Sequence, residues 1–198
     1  MSATRAVLAT MAREEWRMHS RLFGGRRFAA FPVFVALAGG LTAWALSTTG
    51  TAVDTVAAGA HVLVLLFGLQ TGTVGLVGRD AVKDLLGDVT LVLHGARALP
   101  ISERRLLALF VLKDVAYYAV FVVLPLAVAF APLLAFGALS LLWVTLVWTF
   151  ALGLCATLAG VALATRGRPG KALALALLAG IALAALAGVP VAAATPYA

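Results

Sequence analysis

Long runs of apolar residues alternate along this chain with short polar segments, and five of the runs approach the roughly 20 residues that a helix needs to cross the hydrocarbon of a bilayer. They cover residues 28–47, 56–78, 115–136, 139–165 and 172–194. The pattern predicts an all-α fold, a polytopic transmembrane helix bundle. Between the first two runs the connection Thr48 to Thr55 carries only Asp54 as a charge, and the turn near Gly137 and Ala138 is uncharged. Both read as short external hairpins.

A different period governs the N-terminus. Placed at 100° per residue, residues 3–23 gather Val7, Leu8, Met11, Met18 and Leu22 on one side and Arg13, Glu14, Arg17 and Arg21 on the other. Trp16 flanks the apolar face, and Glu15 alone intrudes on it. This predicts an N-terminal interfacial amphipathic helix whose apolar face meets lipid and whose arginines lie among headgroups. No small-residue cleavage site follows a short apolar core, so the first span is expected to stay in the mature protein. The organisation expected is an interfacial segment over residues 1–27 and a bundle over 28–198, the latter with a cytosolic segment at 79–113.

That segment is too long for a simple turn. Asp80, Lys83, Asp84 and Asp88 fall on helical spacing, with Leu85, Leu86, Val89 and Val92 on an apolar side. Gly87 and Gly95 interrupt it, and Leu99-Pro100-Ile101-Ser102 reads as a turn with Ser102 as an N-cap and Glu103 favourably placed at the helix start. From Glu103 the pattern stays helical to Phe136, about 51 Å at 1.5 Å per residue. Its first turns therefore lie outside the hydrocarbon, which puts Lys113 and Asp114 at the inner interface. They read either as an intramembrane ion pair or relay or, more plainly, as a snorkelling Lys beside a solvated Asp. Pro125 predicts a kink in mid-span.

Charge adds direction. All 15 Lys and Arg residues lie in the three polar segments, within residues 5–27, 79–113 and 166–171. Because cytoplasmic loops carry the excess of Lys and Arg, all three are expected inside, with the N-terminus cytoplasmic and the chain multi-pass in a plasma membrane. Composition agrees: 63% of residues are hydrophobic and 12% charged, against about 45–50% and 25% in soluble domains, and mean hydropathy is +1.06. The net charge of +7 raises a nucleic-acid partner, but no aromatic residues interleave a basic stripe. The lipid bilayer is the partner this charge fits, at about 1 kcal/mol per basic residue near an anionic surface.

Candidate chemistry is sparse. His61 lies near the external mouth of the second span, with Gln70 and Thr71 deeper; a lone histidine there either contacts substrate or is hydrogen-bonded structure. Thr145 and Thr149, beside Trp143 and Trp148, give the fourth span a polar and aromatic side. His61, Gln70, Thr145 and Thr149 are the candidate lining of a path. Glu14 and Glu15 resemble the paired glutamates of intramembrane CAAX-type proteases, but the family's Arg four residues later is His19 here. No metal cluster or phosphate cradle is read, and Cys155 is a single cysteine in an apolar run. Small residues, including Gly68 and Gly72, favour a tight bundle.

An interfacial N-terminal helix, a first hairpin, a long cytosolic segment ending in Leu99-Pro-Ile-Ser-Glu-Arg-Arg-Leu-Leu107, and short later loops together resemble the permease subunits of type-2 ABC exporters. The stretch at 99–107 is similar to the family's Leu-x-x-x-Pro-Val-Ser-Arg-Arg-x-Leu. The family's Lys, about ten residues after the Pro, falls on Phe110 here, with Lys113 nearly a turn later, and the family has six spans where five are read. The resemblance implies that residues 3–23, with Arg13, Trp16, Arg17 and Arg21, form an elbow helix. It implies a coupling helix that docks on a cytosolic ABC ATPase subunit through Asp80, Lys83, Asp84, Leu85, Leu86 and Asp88, with Arg166 and Arg168 as a second contact. It implies a homodimer, or a heterodimer with a second permease. The chain is then no enzyme and needs no cofactor, ATP turnover being the partner's. The alternatives are an intramembrane enzyme using His61 or Glu15, and a non-catalytic membrane anchor or assembly protein.

Overall fold

The computed structural model describes residues 3–22, 24–77, 102–164 and 167–186. The fold is all-α. Helix α1 covers Ala3–Leu22, a 3-10 turn covers Gly25–Ala30, and α2 (Phe31–Thr48) and α3 (Val53–Val77) form a hairpin. Helix α4 (Glu103–Tyr118) passes through a π-helical turn at Ala119–Val123 into α5 (Leu124–Val128). Helices α6 (Phe136–Ala164) and α7 (Arg168–Leu186) complete the described chain.

Among the described residues, four stretches of helix are long and apolar enough to cross a membrane: Arg27–Thr48, Val53–Gly72, Ala108–Val128 and Phe136–Gly160. With them the chain has the character of a multi-pass membrane protein. The fifth expected span is described as α7 to Leu186, and its remaining residues lie outside the described part. Lipid suits the surface they present, because Phe34, Leu37, Leu41 and Trp44 of α2 and Trp148 and Leu152 of α6 all point outward.

Contacts between helices fix their directions. His61 meets Thr145, Gly68 meets Phe150 and Gly72 meets Thr157, so α3 and α6 run the same way. Phe28 meets Phe121 and Gly39 meets Leu126 and Ala129, so α2 runs with α4 and α5. The two pairs are antiparallel to each other, as an alternating topology requires. One face of α6, Leu142, Leu146, Phe150 and Leu154, is fully buried and recurs every four residues, the period of a helix with one apolar stripe toward its neighbours. It packs with Val56, Ala57, Ala60 and Val64 of α3 and with Tyr118, Val123, Ala127 and Phe130.

The seam between α3 and α6 is made by glycine. A Cβ on Gly68 would come within 2.5 Å of the Phe150 carbonyl oxygen, and one on Gly153 within 2.6 Å of the Leu65 carbonyl oxygen. Only residues without a side chain let two helix backbones approach so closely. The Thr157 hydroxyl then reaches across to donate to Leu69 O at 3.0 Å.

The third span differs from its expected course in two ways. Helix α5 stops at Val128 and a series of turns runs to Leu134 before α6 begins at Phe136, so the chain reverses at 129–135 and not near Gly137 and Ala138. Pro132 is the physical reason: it has no amide hydrogen, and it disfavours helix in the residue before it. Second, the kink expected at Pro125 takes the form of the π turn. Proline cannot bond back to the carbonyl four residues earlier, and the Leu124 amide instead donates to Ala119 O, five residues back. That carbonyl also accepts from the Trp143 indole N–H at 3.2 Å. At the start of α4, the Ser102 hydroxyl accepts from the Arg105 amide at 3.4 Å, the N-cap that the sequence predicts.

Candidate functional site at the base of the third span

Helix α1 does not lie with its apolar face in lipid. Val7 and Met11 are buried against Leu109 of α4, Glu15 meets Lys113, and His19 meets Tyr117 and Tyr118. Each step of four along α1 matches about four along α4, so the two helices climb side by side. Positions at that spacing share one helix face. Glu15, the lone acid on that face, therefore points at Lys113 on the facing side of α4.

Lys113 is the centre of the site. Its ammonium donates to Glu15 Oε2 and is paired with Asp114 Oδ1; the Phe110 ring lies 4.9 Å away. Lys113 is 7% exposed and Asp114 3%, which corrects the expectation of a snorkelling Lys beside a solvated Asp. The physical reason is the partner supplied by α1, since a buried ammonium needs a paired, hydrogen-bonded carboxylate to offset its lost hydration. Two carboxylates thus share one ammonium, away from bulk water.

Aromatic rings enclose this group. The His19 Nδ1 donates to the Glu15 carbonyl oxygen at 2.9 Å, and its Nε2 lies 3.4 Å from the Tyr118 hydroxyl. His19 stacks on Phe28 at 5.6 Å, Phe28 on Phe121 at 6.0 Å, and Tyr117 on Phe121 at 4.7 Å. Trp16 meets Phe28 edge-on at 5.2 Å. Such pairs contribute about 0.5–1.5 kcal/mol each beyond their buried area, and here they tie α1, the 3-10 turn and the third span into one joint. The Tyr117 hydroxyl is buried without a hydrogen-bond partner among the described residues.

The four residues of the elbow face lie away from the Lys113 group, Trp16 at the edge of the joint against Phe28 and Phe121. Arg13 and Arg21 are exposed, Trp16 is half-covered, and Arg17 pairs with Glu14 at 2.9 Å in an exposed bridge. Of the candidate path residues, three come together. His61 is buried, with Nδ1 donating to Ala57 O at 2.8 Å and Nε2 3.0 Å from the Thr145 hydroxyl, and Thr149 donates to Thr145 O at 2.8 Å. Gln70 is not among them, being exposed more than two turns along α3. Arg168 is exposed at the start of α7. Asp80, Lys83, Asp84, Leu85, Leu86, Asp88 and Arg166 lie outside the described residues.

Sequence reasoning singled out Lys113 with Asp114 and, apart from them, Glu15, and missed the union of the three. The available signal was Glu15 itself, an acid on an apolar face with no Lys or Arg one turn away on its own helix and only His19 beside it. Compared with models of protein families, with curated proteins and with solved structures, this chain has no match.

Proposed function

We propose that the chain is the membrane-spanning permease subunit of an ATP-driven exporter, coupling a separate cytosolic ATPase to movement of a substrate across a plasma membrane. The basic end of the bundle faces the cytoplasm in this reading. Its docking surface is Asp80, Lys83, Asp84, Leu85, Leu86 and Asp88, with Arg166 and Arg168 beside it, and a second permease completes the assembly.

The observation that carries the proposal is the joint between α1 and the third span. A stroke delivered at a membrane surface reaches the spanning helices only through connections that do not slip, and an ion pair buried among stacked rings is such a connection. Helix α4 also emerges directly from the Leu99–Leu107 stretch that resembles the exporter family, so a push on the segment before it is transmitted along one helix. Transport then needs the substrate to bind the two states of the bundle unequally. His61, Thr145 and Thr149 are the polar groups placed to make that difference.

Pull-down of the tagged chain from native membranes in mild detergent is expected to retrieve a Walker-type ATPase, and charge reversal at Asp80, Asp84 and Asp88 together is expected to lose it. Retrieval of the chain without any ATPase overturns the proposal.

A further inference from the structure

Beside the joint, α1 and the third span leave an open groove of ≈ 410 Å³, lined by Ala12, Arg13, Trp16, Arg17, Tyr117 and Phe121. Its composition is divided. Trp16, Tyr117, Phe121 and Ala12 give a wall that is chiefly apolar and aromatic, while Arg13 and Arg17 stand on the exposed face of α1. A ligand that satisfies both parts carries an anionic group joined to a hydrocarbon chain.

We propose that this groove binds an anionic phospholipid, with the phosphate between Arg13 and Arg17 and one acyl chain along Trp16 and Phe121. Three observations select a lipid over a soluble anion. The groove opens outward along the side of a helix that is long and apolar enough to cross a membrane, with Tyr117 and Phe121 well inside Ala108–Val128, where lipid is the surrounding solvent. Its rim is cationic: Arg13 has no ion-pair partner among the described residues, and the Arg17 bridge to Glu14 is exposed on both sides, the kind of pair that contributes little and exchanges readily. Its wall is aromatic, and a free phosphate gains nothing from rings. The volume falls in the range of ordinary ligand sites, about 300–1,000 Å³, which accommodates a headgroup and the upper part of a chain. Because both walls belong to the joint, a bound lipid contacts α1 and the third span together.

The test is native mass spectrometry of the detergent-solubilised full chain, titrated with phosphatidylglycerol or phosphatidylcholine of the same acyl length. The wild-type chain is expected to retain phosphatidylglycerol about thirtyfold more tightly than phosphatidylcholine, the scale set by two basic residues at about 1 kcal/mol each beside an anionic headgroup. The double variant Arg13→Gln/Arg17→Gln is expected to lose that preference, whereas Arg5→Gln/Arg21→Gln, which removes the same charge from exposed positions outside the groove, keeps it. If the first double variant failed to fold, Arg13→Gln alone reads the same preference, reduced about fivefold. Equal retention of the two lipids by the wild-type chain overturns the proposal, as does equal loss in the two double variants. Displacement of the bound lipid by stoichiometric glycerol 3-phosphate also overturns it, because the site would then recognise the anion alone.

Discussion

Lys113 faces Glu15 from 98 positions away in the sequence, and the worth of that meeting depends on what is left when one member goes. Lys113→Gln leaves two buried carboxylates facing each other without a cation, and breaking a buried pair in this way costs about 3–5 kcal/mol. Glu15→Gln leaves Lys113 still paired with Asp114, so its loss is smaller. The double variant Glu15→Gln/Lys113→Gln is expected to recover part of the Lys113→Gln loss, giving a coupling of about 1 kcal/mol or more. Thermal unfolding in detergent of the four chains measures it; losses that add within about 0.5 kcal/mol would mean that the two groups do not act on each other. Each of these residues was legible as a type. The sequence marks Glu15 as an intruder on an apolar face and Lys113 and Asp114 as charges at the edge of a span. It does not mark their meeting, because helical periodicity says which residues share a face and nothing about which helix covers it. For His61 the reading of a hydrogen-bonded histidine was available, but its partner Thr145 was not.

At the level of elements, the apolar runs at 28–47, 56–78 and 139–165 overlap the helix stretches Arg27–Thr48, Val53–Gly72 and Phe136–Gly160. The run at 115–136 is displaced from Ala108–Val128, where hydropathy is uninformative. Residues 130–136 are apolar apart from a proline, so they continue the run while the backbone turns; Pro132 was the only signal. The π turn before Pro125 has a similar origin, since the loss of one amide hydrogen is visible in the sequence but the rearrangement that follows is chosen by neighbours such as Trp143. Glycine spacing was the converse case: Gly68 and Gly72 were read as small residues in a tight bundle, and the partner that makes them indispensable, α6 with its Gly153, appears only in three dimensions. Gly68→Ala and Gly153→Ala are each expected to destabilise the bundle by about 1–3 kcal/mol, because the added carbon meets backbone and not a movable side chain. Gly59→Ala, whose Cβ would meet nothing within 4 Å, is expected to stabilise by about 0.5–1 kcal/mol through helix propensity. Midpoints of thermal unfolding for the three variants decide it; equal effects at the three positions would remove the seam from the account.

For the whole molecule, alternation of helix direction places the hairpin at Thr49 and the reversal at 129–135 at one end, and the starts of α4 and α7 at the other. With the basic end in the cytoplasm, in a Cys155→Ser background on intact cells, Thr49→Cys is expected to react with a membrane-impermeant maleimide and Arg168→Cys only after the cells are opened. The reverse pattern would invert the topology. The glycine seam has a mechanical consequence for any such cycle. Where backbone meets backbone, a slide of half a turn would drive carbonyl oxygens into main chain, so α3 and α6 move as one body. Where the third span meets α6, the contact is made by side chains, among them Tyr118 against Phe150 and the Trp143 indole on Ala119 O. The stiffest pair of the bundle is therefore α3 with α6, and the third span, with α1 joined to it, is held to that pair through side chains.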